Sequence, residues 1–182
     1  MQISGTHGTS ASIAFEIMEY GFAQSNSGRS GPGVYLWASE STGVVLARMW
    51  FAMCVQLQKF SSKDECRVLR VSAEIEEDEL LDFCDHRIKE KLISHLHKSY
   101  KLGRIKDLTM EETSLAVDTV VRELERKMGL VFKVLVDYTT FPNPKKGYWH
   151  GSQYPYKAFG NPAIYVIRNL ECITKTEVTD HG

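Results

Sequence analysis

Two short stretches combine residue types able to handle a ligand. Gly5-Thr6-His7-Gly8-Thr9-Ser10 sets an imidazole among small residues. Imidazole both donates and accepts hydrogen bonds, and glycine lets a ligand approach the backbone closely. The sequence offers no packing purpose for the flanking glycines, which favours a binding loop over a satisfied core histidine. Gly31-Pro32-Gly33-Val34-Tyr35-Leu36-Trp37 delivers a tyrosine from a glycine-rich turn onto an apolar run. An electron-rich phenol face suits a flat heteroaromatic ring, a positively charged pyridinium above all.

Hydrophobic periodicity predicts an α+β frame for these residues. A helix is expected after residues 3–9, with Ser10 or Ser12 as N-cap and Gly21 as its left-handed stop. Residues 24–33 read as a polar surface loop, 34–37 as a short buried strand and 43–57 as an amphipathic helix. Alternation predicts a strand over 67–75, and helices follow near 86–102 and 110–128, the second closing at Gly129. β-branched and aromatic content marks strands at 131–138, 164–168 and 173–178. The proline- and aromatic-rich stretch 139–162 reads as a functional loop or lid.

With 182 residues, 43% of them hydrophobic and 25% charged, the chain has the balance of one domain spanning 1–182. Met1-Gln2-Ile3-Ser4 lacks a basic, apolar leader, and no apolar run reaches membrane-spanning length, so a cytoplasmic protein without a membrane partner is expected. Cys54, Cys66, Cys84 and Cys172 form no C-x-x-C pair and have no histidine at ligand spacing, which predicts buried free thiols and no metal. The acidic run 74–79 reads as a solvated edge. A formal charge of -1 rules out an overall basic field while leaving room for a local one.

A strand ending in His-Gly-Thr, a helix closing at Gly21-Phe22, a polar loop and then Gly31-Pro32-Gly33-Val34-Tyr35 resemble the diphtheria-toxin-like ADP-ribosyltransferases, which include the poly(ADP-ribose) polymerases. The resemblance runs closely over residues 5–37, about a fifth of the chain. It implies a split β-sheet core with flanking helices and NAD as co-substrate. His7 would hydrogen-bond the adenosine-side ribose, with Thr9 beside it, and the Gly8 N–H and C=O would hold the nicotinamide carboxamide. Tyr35 would stack on the nicotinamide, and the loop from Gln24 to Arg29 would cover the dinucleotide, Arg29 meeting the pyrophosphate. The implied reaction loosens the nicotinamide–ribose bond, and an acceptor attacks the oxocarbenium-like carbon without any metal.

The chain departs from that pattern at three places. Where the polymerases carry a carboxamide-binding serine this chain has Gly43, leaving Ser41 or Thr42 to serve. Leu46 replaces the second stacking tyrosine, so Trp37 or an aromatic residue after Thr139 would complete the sandwich. The third catalytic residue is either Asn161 or Glu177. A non-acidic residue there favours transfer of a single ADP-ribose over polymer synthesis.

The leading expectation is therefore a mono-ADP-ribosyltransferase that modifies RNA, DNA or protein. Its format resembles microbial toxins and defence effectors, which implies a neutralising antitoxin partner. Lys145-Lys146 beside Tyr148-Trp149, and Lys157 near Tyr154 and Tyr156, interleave basic and aromatic residues as single-strand binders do. Two alternatives stay open: an RNA 2′-phosphotransferase of the same fold, and a silent module that binds NAD or ADP-ribose.

Overall fold

The computed structural model describes residues 1–39, 42–100, 108–143 and 161–179. Strand β1 (Gln2–Ser10) leads directly into helix α1 (Ala11–Tyr20). Ser10 supplies the N-cap, accepting from the Ile13 N–H, while Ser12 only braces the Ser10 hydroxyl at 3.1 Å. Gly21 closes the helix at φ 82° and ψ 177°, an extended geometry on the positive-φ side rather than the left-handed helical one expected.

Strand β2 (Val34–Trp37) and helix α2 (Gly43–Gln56) follow the loop, then strand β3 (Cys66–Glu74). A three-residue strand β4 (Leu80–Asp82) precedes helices α3 (His86–Tyr100) and α4 (Met110–Met128). Strands β5 (Val134–Tyr138), β6 (Ala163–Ile167) and β7 (Ile173–Val178) complete the chain. Helix α4 has the start and stop its sequence demands. Thr109 and Glu112 form a reciprocal capping box, and Gly129 adopts φ 70°, ψ 28°.

The strands form one mixed sheet of order β4-β5-β6-β2-β1-β3-β7, in which only β4 and β5 run parallel. The protein is thus α+β. One face buries Trp37, Leu46, Ala47, Val68, Leu135 and Val166 beneath α2 and α4, and the other buries Ile3, Leu36, Leu69, Val71 and Ile167 beneath α1. Two expectations need correction. The strand expected from 131 begins at Val134, because the Phe132 N–H donates to the Glu125 carboxylate at 3.0 Å and not to a neighbouring strand. The acidic run is part cap, since Glu76 and Glu79 close a capping box and Glu79 pairs with Lys133 at 2.6 Å. Strand β4 was not expected at all. No helix among the described residues is long and apolar enough to cross a membrane.

Candidate functional site

The middle of the sheet is nearly unzipped. Strands β1 and β3 pair from Gln2↔Glu74 to Ser10↔Cys66, but β1 and β2 meet only at Thr6↔Trp37. The Ile75 N–H donates to the Met1 carbonyl and the Thr179 N–H to the Val68 carbonyl. Antiparallel alternation then turns the peptide groups of odd β1 residues toward β3 and those of even residues toward β2. The next rung should join Gly8 to Tyr35. Instead His7 Nδ1 lies 3.0 Å from the Tyr35 carbonyl oxygen. A carbonyl only accepts, so Nδ1 carries the proton, and the imidazole bonds the carbonyl that the next rung would use. The β1–β2 register is confined to Thr6↔Trp37, and alternation turns the Gly8 N–H toward β2.

Phe22 sets the imidazole plane by an edge-on contact, with centroids 5.4 Å apart at 90°. Burial pushes the His7 pKa below its ordinary value, and the bond to Tyr35 only partly opposes this. His7 is therefore neutral near pH 7, with Nε2 as a hydrogen-bond acceptor.

Tyr35 occupies the other face of the sheet, with its ring against the cluster under α2 and α4. Its hydroxyl donates to the Gly31 carbonyl at 2.5 Å and accepts the Ser30 N–H at 3.0 Å. Gly28 is needed there, since a Cβ on it would stand 2.2 Å from the phenol oxygen. Burial, reinforced by the Asp137 charge and opposed by the Ser30 N–H, raises the Tyr35 pKa to about 12. The phenol therefore keeps its proton near pH 7. Ser30 in turn donates to Asp137 Oδ2 at 2.7 Å, and Lys89 stands 3.8 Å from the same carboxylate. Gln24 anchors the start of the loop on the Arg168 carbonyl at 3.1 Å.

The flanking glycines do have a packing purpose, contrary to the sequence reading. A Cβ on Gly8 would lie 2.1 Å from the Ala47 carbonyl oxygen, and one on Gly5 would lie 2.8 Å from Leu36 Cβ. Gly43 likewise lies against Thr6, its would-be Cβ 2.6 Å from Thr6 Oγ1. That hydroxyl is buried and has no hydrogen-bond partner among the described residues.

The other expected site residues are scattered. Thr42 begins α2, its hydroxyl 2.7 Å from Ser39 Oγ, while Ser41 lies outside the described residues. Thr9 is buried at 2% exposure, and Arg29 is exposed on the loop. Trp37 at 8% and Leu46 at 1% are core residues, so Trp37 offers no free face for stacking. Asn161 is exposed and lies before β6, five residues ahead of Val166, the β6 partner of Tyr35. Glu177 lies on edge strand β7, two strands from β1, and pairs with Lys175 at 2.6 Å. Sequence order does not reveal strand order, and this carboxylate is not brought to the gap. Lys145, Lys146, Tyr148, Trp149, Tyr154, Tyr156, Lys157 and Phe159 lie outside the described residues.

Two elements of the site were not read from the sequence. Asp137 stands in an apolar strand, where its role of holding the loop through Ser30 leaves no spacing signal. Arg168 bonds Glu125 at 2.6 Å, Asp118 at 2.8 Å and the Phe132 carbonyl at 3.1 Å, tying α4 to the end of β6. The i, i+7 acid pair on α4 was the only clue to it.

The thiols agree better with expectation. All four are free, Cys54 and Cys172 are buried, and Cys66 and Cys84 are partly so. Burial raises every thiol pKa, to about 11 at Cys66 and Cys84. Alkylation by iodoacetamide at neutral pH should therefore proceed at least about tenfold more slowly at each than at free cysteine, read by mass spectrometry. Rapid labelling of any one would contradict its environment. Among the described residues no cluster of three His, Cys, Asp or Glu could hold a metal ion. No family model and no curated protein matches this chain.

Proposed function

We propose that the protein is a mono-ADP-ribosyltransferase that binds NAD in the gap between β1 and β2 and transfers ADP-ribose to a macromolecular acceptor. The observation that carries this reading is the displaced rung. His7 occupies the Tyr35 carbonyl, and the Gly8 N–H then faces the opening. A carboxamide pairs with a strand edge as a neighbouring strand would, and Gly8 is the residue left without that neighbour. The neutral Nε2 of His7 would accept a ribose hydroxyl from one face, and the Tyr35 ring would meet the nicotinamide from the other. A sheet joined by one pair at its centre also accords with the split core that the sequence resemblance implies.

The same geometry favours single transfer. No carboxylate among the described expected residues stands at the gap, since Glu177 is held on the far edge. Chemistry would rest on holding the dinucleotide so that the nicotinamide–ribose bond loosens, with the backbone of Gly8 fixing the leaving group. The Gln24–Arg29 loop, braced through Ser30 and Asp137, would cover the pyrophosphate.

Incubation with adenylate-labelled NAD and a mixture of cell RNA, DNA and protein tests the proposal. Label should enter one polymer as nicotinamide is released, and Tyr35→Ala should lower the rate at least about tenfold. NAD binding without nicotinamide release would assign a silent module instead. Removal of a 2′-phosphate from a spliced RNA end would assign the phosphotransferase alternative. Full activity in a folded Tyr35→Ala protein would remove Tyr35 from the site.

A further inference from the structure

The charge of this near-neutral chain is unevenly spread. Residues 86–106 hold seven Lys or Arg against one acid, within a chain of formal charge -1. On α3 the cations divide into two sets. Arg87 pairs with Asp85 at 3.0 Å and Lys89 stands 3.8 Å from Asp137. Lys91 and Lys98 make no ion pair among the described residues. They line, with Ser94, one wall of a groove of about 410 Å³ between α3 and α4. Lys127 faces them from α4, Leu124 forms part of the floor, and among the described residues Glu123 is the one acid on the rim.

We infer that this groove binds the phosphodiester backbone of a single nucleic-acid strand, the acceptor of the transfer proposed above. Three unneutralised ammonium groups around one cleft repel each other, and a polyanion relieves that repulsion as it releases its counterions. Lys91 and Lys98 are seven residues apart, about 10 Å along the helix, a reach covered by roughly two phosphate steps of one strand. Among the described lining residues the His95 imidazole is the one aromatic ring, so the groove's main hold is on the backbone and not on the bases.

Its position supports the acceptor role. Lys89, half a turn before Lys91, approaches the Asp137 carboxylate that holds Ser30 beside the Tyr35 hydroxyl. On the other wall, Val117 of α4 packs under Gly31 of the loop two turns from Leu124. A strand lying in the groove thus runs toward the loop that would cover NAD. The acceptor role rests on the transferase reading, whereas binding of the strand does not.

Fluorescence anisotropy with a fluorescein-labelled single strand of about 20 nucleotides, as RNA and as DNA of one sequence and without NAD, tests the inference. Binding should weaken about twentyfold between about 50 and 200 mM salt, as expected when about three phosphates are neutralised. Combining Lys91→Ala, Lys98→Ala and Lys127→Ala should weaken it at least about tenfold and flatten the salt dependence. Glu123→Gln should tighten it, and His7→Ala should leave it unchanged. A wild-type protein that ignores both oligonucleotides, or a folded triple variant that binds them as the wild type does, overturns the inference. Label entering lysate protein at the same rate in the triple variant reassigns the acceptor to protein and overturns it too. Oligonucleotide binding with no transfer at all would instead defeat the transferase reading and leave the groove standing.

Discussion

His7→Ala is expected to lower ADP-ribose transfer about a hundredfold. Loss of the Nε2 acceptor would remove the hydrogen bond proposed to the dinucleotide, about tenfold or 1.4 kcal/mol. A comparable factor comes from the sheet itself. Without the imidazole at the Tyr35 carbonyl, 3.0 Å from Nδ1 in the wild type, the Gly8 N–H can complete its rung and close the gap. Amide exchange separates the two effects, because Gly8 should become better protected in His7→Ala although a contact has been deleted. His7→Gln keeps a donor for the carbonyl and should hold the gap open, recovering NAD binding more than turnover. Equal protection of Gly8 in wild type and His7→Ala would show that the imidazole does not part the strands.

The same residue fixes the direction of a pH effect. Its folded pKa lies below the ordinary 6.5, so the unfolded chain binds the proton more readily. The neutral, buried imidazole contributes its full stability above pH 6.5, and that contribution is lost as pH falls toward the lower folded value. Glu79, Asp85 and Glu177, whose pKa values are also lowered by their cationic partners, act at lower pH, below their ordinary values of 4.5, 3.8 and 4.5. Urea midpoints should therefore begin to fall as the pH drops below 6.5 in the wild type, and His7→Gln should flatten that fall.

Elements carrying their own local signals were legible in the sequence. Helix α4 runs over the expected 110–128 because a capping box and a left-handed glycine fix its two ends. Strand β4 was not legible, because three residues paired in parallel with β5 carry no periodicity of their own. His7 and Tyr35 were singled out by residue type and by the resemblance, and the contact between them, His7 Nδ1 to the Tyr35 carbonyl oxygen, joins residues 28 apart and leaves no local signal. Trp37 looked like a stacking partner because aromatic residues beside a glycine-rich loop suit ligands, but its place under α2 and α4 makes it core. Glu177 had the right chemistry on the wrong edge, and only the strand order β1-β3-β7 separates it from the gap.

Gly8→Ala is expected to cost about 3 kcal/mol or more of stability. The added methyl would meet the Ala47 carbonyl oxygen at 2.1 Å, its carbon at 2.7 Å and the Ala47 Cα at 3.1 Å. These are backbone atoms of α2, so no rotamer change relieves the clash. Either α2 lifts from the sheet and exposes Leu46 and Ala47, now 1% and 0% accessible, or β1 shifts and disturbs its nine-residue register with β3. Gly21→Ala provides the contrast. A Cβ there meets nothing within 4 Å, and only the backbone, at φ +82° and ψ 177°, opposes it, at a cost of about 1–3 kcal/mol. Against a total stability of about 5–15 kcal/mol, the first change should move the urea midpoint far and the second modestly. Gly8 thus serves two ends at once. The missing side chain that would leave its N–H open to a carboxamide also lets α2 press onto the strand, which holds that N–H in place. A Gly8→Ala protein as stable as Gly21→Ala would mean that helix and strand do not touch there, and the geometry of the gap would lose its support.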